Sequence, residues 1–118
     1  MIKRILFIAM ILISFSKVTL SQTNAEMRAE AGIEYEKADK ELNLVYKQLS
    51  SSLDVNQKQL LIESERAWIK YRDLECKFQA IGYTGGSMYP LIFSSCMTDL
   101  TKKRTQELKE SLPQGDSK

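Results

Sequence analysis

Cys76 and Cys96 are the only thiols in this chain, and thiols are the side chains here most capable of chemistry. A thiol can act as a nucleophile, ligate a metal, or form half of a disulfide. The first two roles usually recruit histidine as general base or co-ligand, and the sequence has no histidine. In an exported chain an even cysteine count reads as a covalent bridge, and two cysteines allow one pairing. Closing that loop is expected to stabilise the fold by ~3 kcal/mol. Other reactive arrangements are missing. Glu34/Glu36 and Glu63/Glu65 are two residues apart, so on a helix each pair splits to different sides. Gly85-Gly86-Ser87 lacks the strand and lysine of a phosphate loop, and no Cys-x-x-Cys-His run could hold haem. No catalytic residue, metal or cofactor is therefore expected, and the chain does not read as an enzyme.

The remaining candidates are binding residues. Arg72 and Asp73 lie just before Cys76, and Gly85, Gly86 and Ser87 lie in the segment between the cysteines. Being adjacent, Arg72 and Asp73 are expected to point in different directions, with Asp73 reaching Lys77 one turn on. The planar fork of Arg72 suits two roles, bracing the Gly85-Gly86 carbonyls or contacting a partner. Trp68 and Tyr71, one helical step apart, read as core anchors.

Helices must position these groups. Ala31, Tyr35, Ala38, Leu42, Val45, Leu49 and Leu53 repeat at three- and four-residue steps, with Leu44 and Tyr46 widening the stripe, which predicts a helix over residues 25–53. Ser50-Ser51-Ser52 breaks it, and Asp54 can cap a second helix over residues 55–78. The second apolar side reads Leu60/Leu61, Ala67/Trp68, Tyr71, Leu74 and Phe78. A glycine-bearing loop follows over residues 81–87, after which Ser87 could cap a third helix with Pro90 in its first turn. Phe93, Cys96/Met97, Leu100, Arg104 or Thr105, Leu108 and Leu112 carry the third stripe. The fold class expected is all-α, a three-helix antiparallel bundle with one disulfide. Residues 113–118 read as a disordered polar tail.

Residues 1–21 read as a signal peptide: Lys3 and Arg4 precede an apolar run over 5–15, and Thr19 and Ser21 are spaced for cleavage after Ser21. The apolar core is short for a membrane span, so no stable membrane insertion is expected after cleavage. No cysteine near the cut is available for lipid attachment. Losing Lys3, Arg4 and Lys17 takes the formal charge from +2 to −1, which removes any case for nucleic-acid binding. The domain is expected to occupy residues 22–112, in the periplasm or outside the cell.

Ala67-Trp68, Arg72-Asp73, Cys76, Gly85-Gly86-Ser87, Pro90, Cys96, Thr101, Arg104 and Leu108 together resemble the LprI-type lysozyme-inhibitor domain of bacterial exported proteins. Upstream, Glu26-Met27, Tyr35, Ala38-Asp39, Leu42-Asn43 and Tyr46 match the first helix of that family. The resemblance implies an all-helical exported domain, with inhibition of lysozyme described for some members. It departs in one place: the family's further cysteine pair near the first helix is absent, which implies a looser N-terminal end. The expected function is an envelope protein-binding module whose partner is a lysozyme-like muramidase. Residues 25–54 carry four basic and seven acidic residues, a balance of −3 suited to a basic partner. The alternative readings are a structural or stress-related envelope protein with another partner, and a small-ligand binder with a cavity near Trp68 and Tyr71.

Overall fold

The structure is a computed structural model that describes the backbone of residues 2–114 and the side chains of residues 23–114. The expected signal peptide and residues 115–118 of the expected tail lie outside the described side chains. Among the described residues there is no strand. Three helices, α1 (Ile2–Ser51), α2 (Val55–Ala80) and α3 (Tyr89–Glu110), are joined by a tight turn and by a loop that opens with a 3₁₀ turn at Ile81–Tyr83.

Local chemistry ends and restarts the helices where the polar clusters lie. The Ser52 amide and hydroxyl both donate to the Leu49 carbonyl, at 3.0 and 2.7 Å, closing the last turn of α1. Asp54 then starts α2 with a reciprocal cap. Its carboxylate accepts from the Gln57 amide at 2.8 Å, and its own amide donates to Gln57 Oε1 at 3.1 Å. The start of α3 departs from expectation. Met88, not Ser87, occupies the cap position, and no side chain caps it. Pro90 is in the first turn, where its missing N–H removes a donor that has no helical partner.

Consecutive helices run antiparallel, which leaves α1 and α3 parallel. Glu34 and Glu41 of α1 face Lys102 and Lys109 of α3 in the same order, whereas Glu65 and Cys76 of α2 meet Arg104 and Cys96 in reverse order. The largest helix–helix contact is between α1 and α3, and α2 packs mainly on α3. Leu42, Val45, Leu49 and Leu108 form the apolar core at one end, backed by Leu61, Trp68 and Leu112. Cys76, Cys96 and Met97, with Tyr35, Phe93 and Leu100, form a second cluster toward the other.

Between the clusters the interior is polar. Thr98, Thr101 and Thr105 are buried on α3. Thr98 and Thr105 donate their hydroxyls to the Ser94 and Thr101 carbonyls of their own helix, at 3.0 and 2.9 Å. A short side chain that satisfies itself lets helices approach closely without an orphaned hydroxyl.

The stripe expected on α2 is only partly inside. Leu61 and Trp68 pack on the core, but Leu60, Tyr71, Leu74 and Phe78 are exposed. The buried face of α2 is Glu65, Arg72, Cys76 and Ala80. Leu44 of α1 is likewise exposed.

Candidate functional site

The bond between Cys76 and Cys96 clamps the loop end of the bundle, with the two Cα atoms 5.5 Å apart. Cys76 and Ala80 are wholly buried, so the end of α2 is anchored before the chain turns. Beyond the anchor the chain folds back tightly. The Thr84 amide and hydroxyl both donate to the Ile81 carbonyl, at 3.2 and 2.7 Å, and the Gly86 amide donates to the Tyr83 carbonyl at 3.0 Å. Gly85 adopts φ 81°, a left-handed conformation that other residues resist. A Cβ at Gly86 would lie 3.3 Å from the Tyr83 carbonyl oxygen. The outcome is a compact tip on which Ile81, Tyr83 and Met88 are exposed beside Gly85, Gly86 and Ser87. Tyr89 and Phe93 stack beneath it with centroids 6.0 Å apart.

Arg72 lies away from this tip. It is 7% exposed, and its hydrogen bonds go to helical residues rather than to the Gly85-Gly86 carbonyls. Nε and Nη2 both donate to Asp73 Oδ1, at 3.0 and 2.9 Å. This corrects the expectation that the two side chains point in different directions, with Asp73 turned to Lys77. The rule concerns Cβ directions, and a guanidinium on a long stem can curl around the helix to its neighbour. Nη1 also reaches Thr101 Oγ1 at 3.5 Å, a weak contact. The ring of Trp68 lies 5.1 Å from the Arg72 guanidinium, and that of Tyr35 lies 5.7 Å from it. Arg72 thus ties all three helices together.

Arg104 approaches Trp68 as well, at 5.9 Å, so the indole lies near two cations. Its Nε and Nη2 each donate to Glu65 Oε2 at 3.2 Å, and further bonds go to Ser64 and Glu107. Glu65 is 9% exposed, and its Oε1 has no hydrogen-bond partner. Sequence reasoning missed this pair. The signal was present as spacing: Glu65, Trp68, Arg72 and Cys76 recur at three- and four-residue steps on one face of α2, and Arg104 falls on the stripe of α3. Burial pushes the Tyr35 hydroxyl above its ordinary value of 10.0, against the opposing pull of Arg72.

The acidity of α1 is partly neutralised within α1, by Lys37, and from α3, by Lys102 and Lys109. Lys37 donates to Glu34 at 2.9 Å and Lys109 to Glu41 at 2.6 Å, and each bond holds its carboxylate below the ordinary 4.5. An open cleft of about 470 Å³ separates α1 from α2, lined by Leu42, Tyr46, Ile62, Glu65, Ile69 and Arg72 among others. Neither Trp68 nor Tyr71, where a ligand cavity was anticipated, lines it. Among the described residues no group of acidic, cysteine or histidine side chains could hold a metal ion, and no helix is long and apolar enough to cross a membrane.

The fold recurs in a crystal structure of a DUF1311 family protein from Pseudomonas putida KT2440. The TM-score is 0.71 at 21% identity, covering 76% of this chain and 94% of that one. An uncharacterised protein of Rhizobium meliloti strain 1021 is 35% identical over 97 residues, covering 71% of this chain and 70% of its own length. The family model described as lysozyme inhibitor LprI matches residues 16–108, which span the Arg72-Asp73 pair, both cysteines, the glycine tip and Arg104. With three helices, the Cys76–Cys96 bridge and that match in agreement, the chain belongs to the LprI family.

Proposed function

We propose that the chain is an exported, non-enzymatic module of the cell envelope, residues 22–112 forming the domain, which binds a lysozyme-type muramidase and inhibits it. Membership of the LprI family supports the choice of partner. The observation that carries a binding role is the tip: Ile81, Tyr83 and Met88 are exposed on a turn whose two flanking helices are covalently joined at Cys76 and Cys96. Apolar and aromatic side chains presented on a restrained turn lose little freedom on binding, so more of their contact energy appears as affinity. Charge is the lesser contribution. Glu34 and Glu41 already pair with Lys37 and Lys109, leaving Glu26, Glu30, Glu36 and Asp39 as the acids of α1 for which no ion pair is described.

A lytic assay with purified, oxidised protein at low and moderate salt tests the proposal. Inhibition at micromolar protein that persists with salt and is lost in Ile81→Ser/Tyr83→Ser supports it. Full lytic activity in the presence of well-folded protein rejects the inhibitor role. Recovery of another envelope protein on the same tip would then favour the structural or stress-related reading.

A further inference from the structure

The sequence of α2 carries a largely apolar repeat that the bundle leaves exposed, its one polar member, Ser64, accepting a bond from Arg104 of α3. Leu60, Ser64, Ala67, Tyr71, Leu74 and Phe78 follow steps of four, three, four, three and four, and all are exposed. Leu60 and Phe78, at the two ends, are 67% and 72% exposed. This is the heptad spacing of a helix made to pack against another helix, with Leu60, Ala67 and Leu74 at one core position and Ser64, Tyr71 and Phe78 at the other. It lies opposite the face that Glu65, Arg72 and Cys76 turn into the bundle. The stripe runs about 27 Å along the helix. An apolar strip of that length on an otherwise charged helix marks an interaction surface.

We propose that this face pairs with the same face of a second copy, the two α2 helices antiparallel about a two-fold axis that crosses the stripe at the level of residue 69. The proposal goes beyond the proposed inhibitor role and does not depend on it. In this register Leu60 meets Phe78 of the second copy, Ser64 meets Leu74 and Ala67 meets Tyr71, each repeated by symmetry. Most layers set a small side chain against a large one, which is how facing positions interdigitate. The flanking charges select the register. Glu63 and Lys77 lie on the same edge of the stripe, and the antiparallel pairing brings Glu63 of one copy to Lys77 of the other, twice. Sliding by one heptad toward the loop replaces these pairs with Lys70 against Lys77, also twice. Sliding the other way leaves Leu74 and Phe78 without layers. A parallel pair would stack Ser64 on Ser64, Ala67 on Ala67 and Tyr71 on Tyr71; it would set Lys70 against Glu75 but give Glu63 and Lys77 no opposite charge, so it is the facing of small on small and large on large that disfavours it. Lys70 faces itself across the antiparallel axis and opposes the association, which is reversible and of about micromolar strength.

Sedimentation velocity of the purified, disulfide-bonded protein over about 5–500 μM reads the result. The expected outcome is a concentration-dependent dimer. Lys77→Glu and Glu63→Lys each weaken it by about tenfold, and Glu63→Lys/Lys77→Glu restores it. Leu74→Ser/Phe78→Ser abolishes it; because both side chains are exposed, the helical circular dichroism spectrum is unchanged. A monomer across the range overturns the proposal. So does a dimer indifferent to Phe78, a double charge swap that fails to restore, or attachment of the stripe to lipid vesicles without self-association.

Discussion

Replacing Arg104 with Met removes the one cation, among the described residues, bonded to a carboxylate that the bundle has largely taken out of water. The Glu65 and Arg104 side chains are 11% and 15% exposed, and both bonds between them, at 3.2 Å, fall on one oxygen, Oε2. The other oxygen is already unpartnered. In Arg104→Met the whole carboxylate is buried bare, a situation that destabilises by ~3–5 kcal/mol. The cation lost from beside Trp68 adds ~0.5–1 kcal/mol, and the slight exposure of the site subtracts a comparable amount. The net expectation is about 3–5 kcal/mol, against a total stability of about 5–10 kcal/mol for a domain of this length. Glu65→Leu is milder, about 1–2 kcal/mol, because Arg104 retains Ser64 and Glu107 and reaches the rim. Glu65→Leu/Arg104→Met leaves no buried charge and recovers much of the single-variant loss. Urea unfolding at pH 7 measures all three, with the Arg104→Met midpoint about 2–3 M below wild type. A loss under about 1 kcal/mol in Arg104→Met, or a double variant weaker than it, refutes this account of the interior.

Cys76→Ser/Cys96→Ser should lose about 3 kcal/mol, and wild type melted in reductant should match it in thermal denaturation. Gly85→Ala should destabilise by about 1–2 kcal/mol through its left-handed backbone. Gly82→Ala, with open space around the added carbon, should stay within about 0.5 kcal/mol of wild type in the same melt. Glu41 is held down by Lys109, so its contribution is present above pH 4.5 and fades as pH falls through its lower folded value. Carboxyl NMR titration should show Glu41 returning to the ordinary range in Lys109→Met. Tyr35, pushed upward by burial, keeps its proton longer folded than unfolded, so stability should fall as pH rises above 10.0 and Tyr35→Phe should lose that dependence.

The first and third helices were legible because their buried faces are apolar or small. Ala38, Leu42, Val45 and Leu49 on α1, and Cys96, Met97 and Leu108 on α3, are buried as their spacing required. The second helix misleads for a physical reason. It has two faces, and the more hydrophobic one, Leu60 to Phe78, points outward, while the face carrying Glu65 and Arg72 points in. Periodicity measures the contrast between faces; it does not say that the apolar one is buried when the charged one finds partners on another helix. Those partners, Arg104 and Thr101, are about thirty to forty residues away, beyond any local pattern. The bridge was legible because two cysteines have one pairing. The tip was legible only as a glycine-bearing loop: that Gly85 takes a positive φ, and that Met88 stands at the helix start, depends on hydrogen bonds the sequence does not display.

The parallel placement of α1 and α3 sets an order of events during synthesis. Of the three helices, the one made first finds its main neighbour in the third: Glu41 meets Lys109 across a sequence separation of 68 residues. Until α3 emerges, the apolar side of α1 has little to cover it, and Glu65 has no cation. An α1–α2 hairpin released early would be an incomplete particle rather than a small native one. Assembly therefore waits on the C-terminal third of the chain, and truncation there removes the whole structure instead of trimming it.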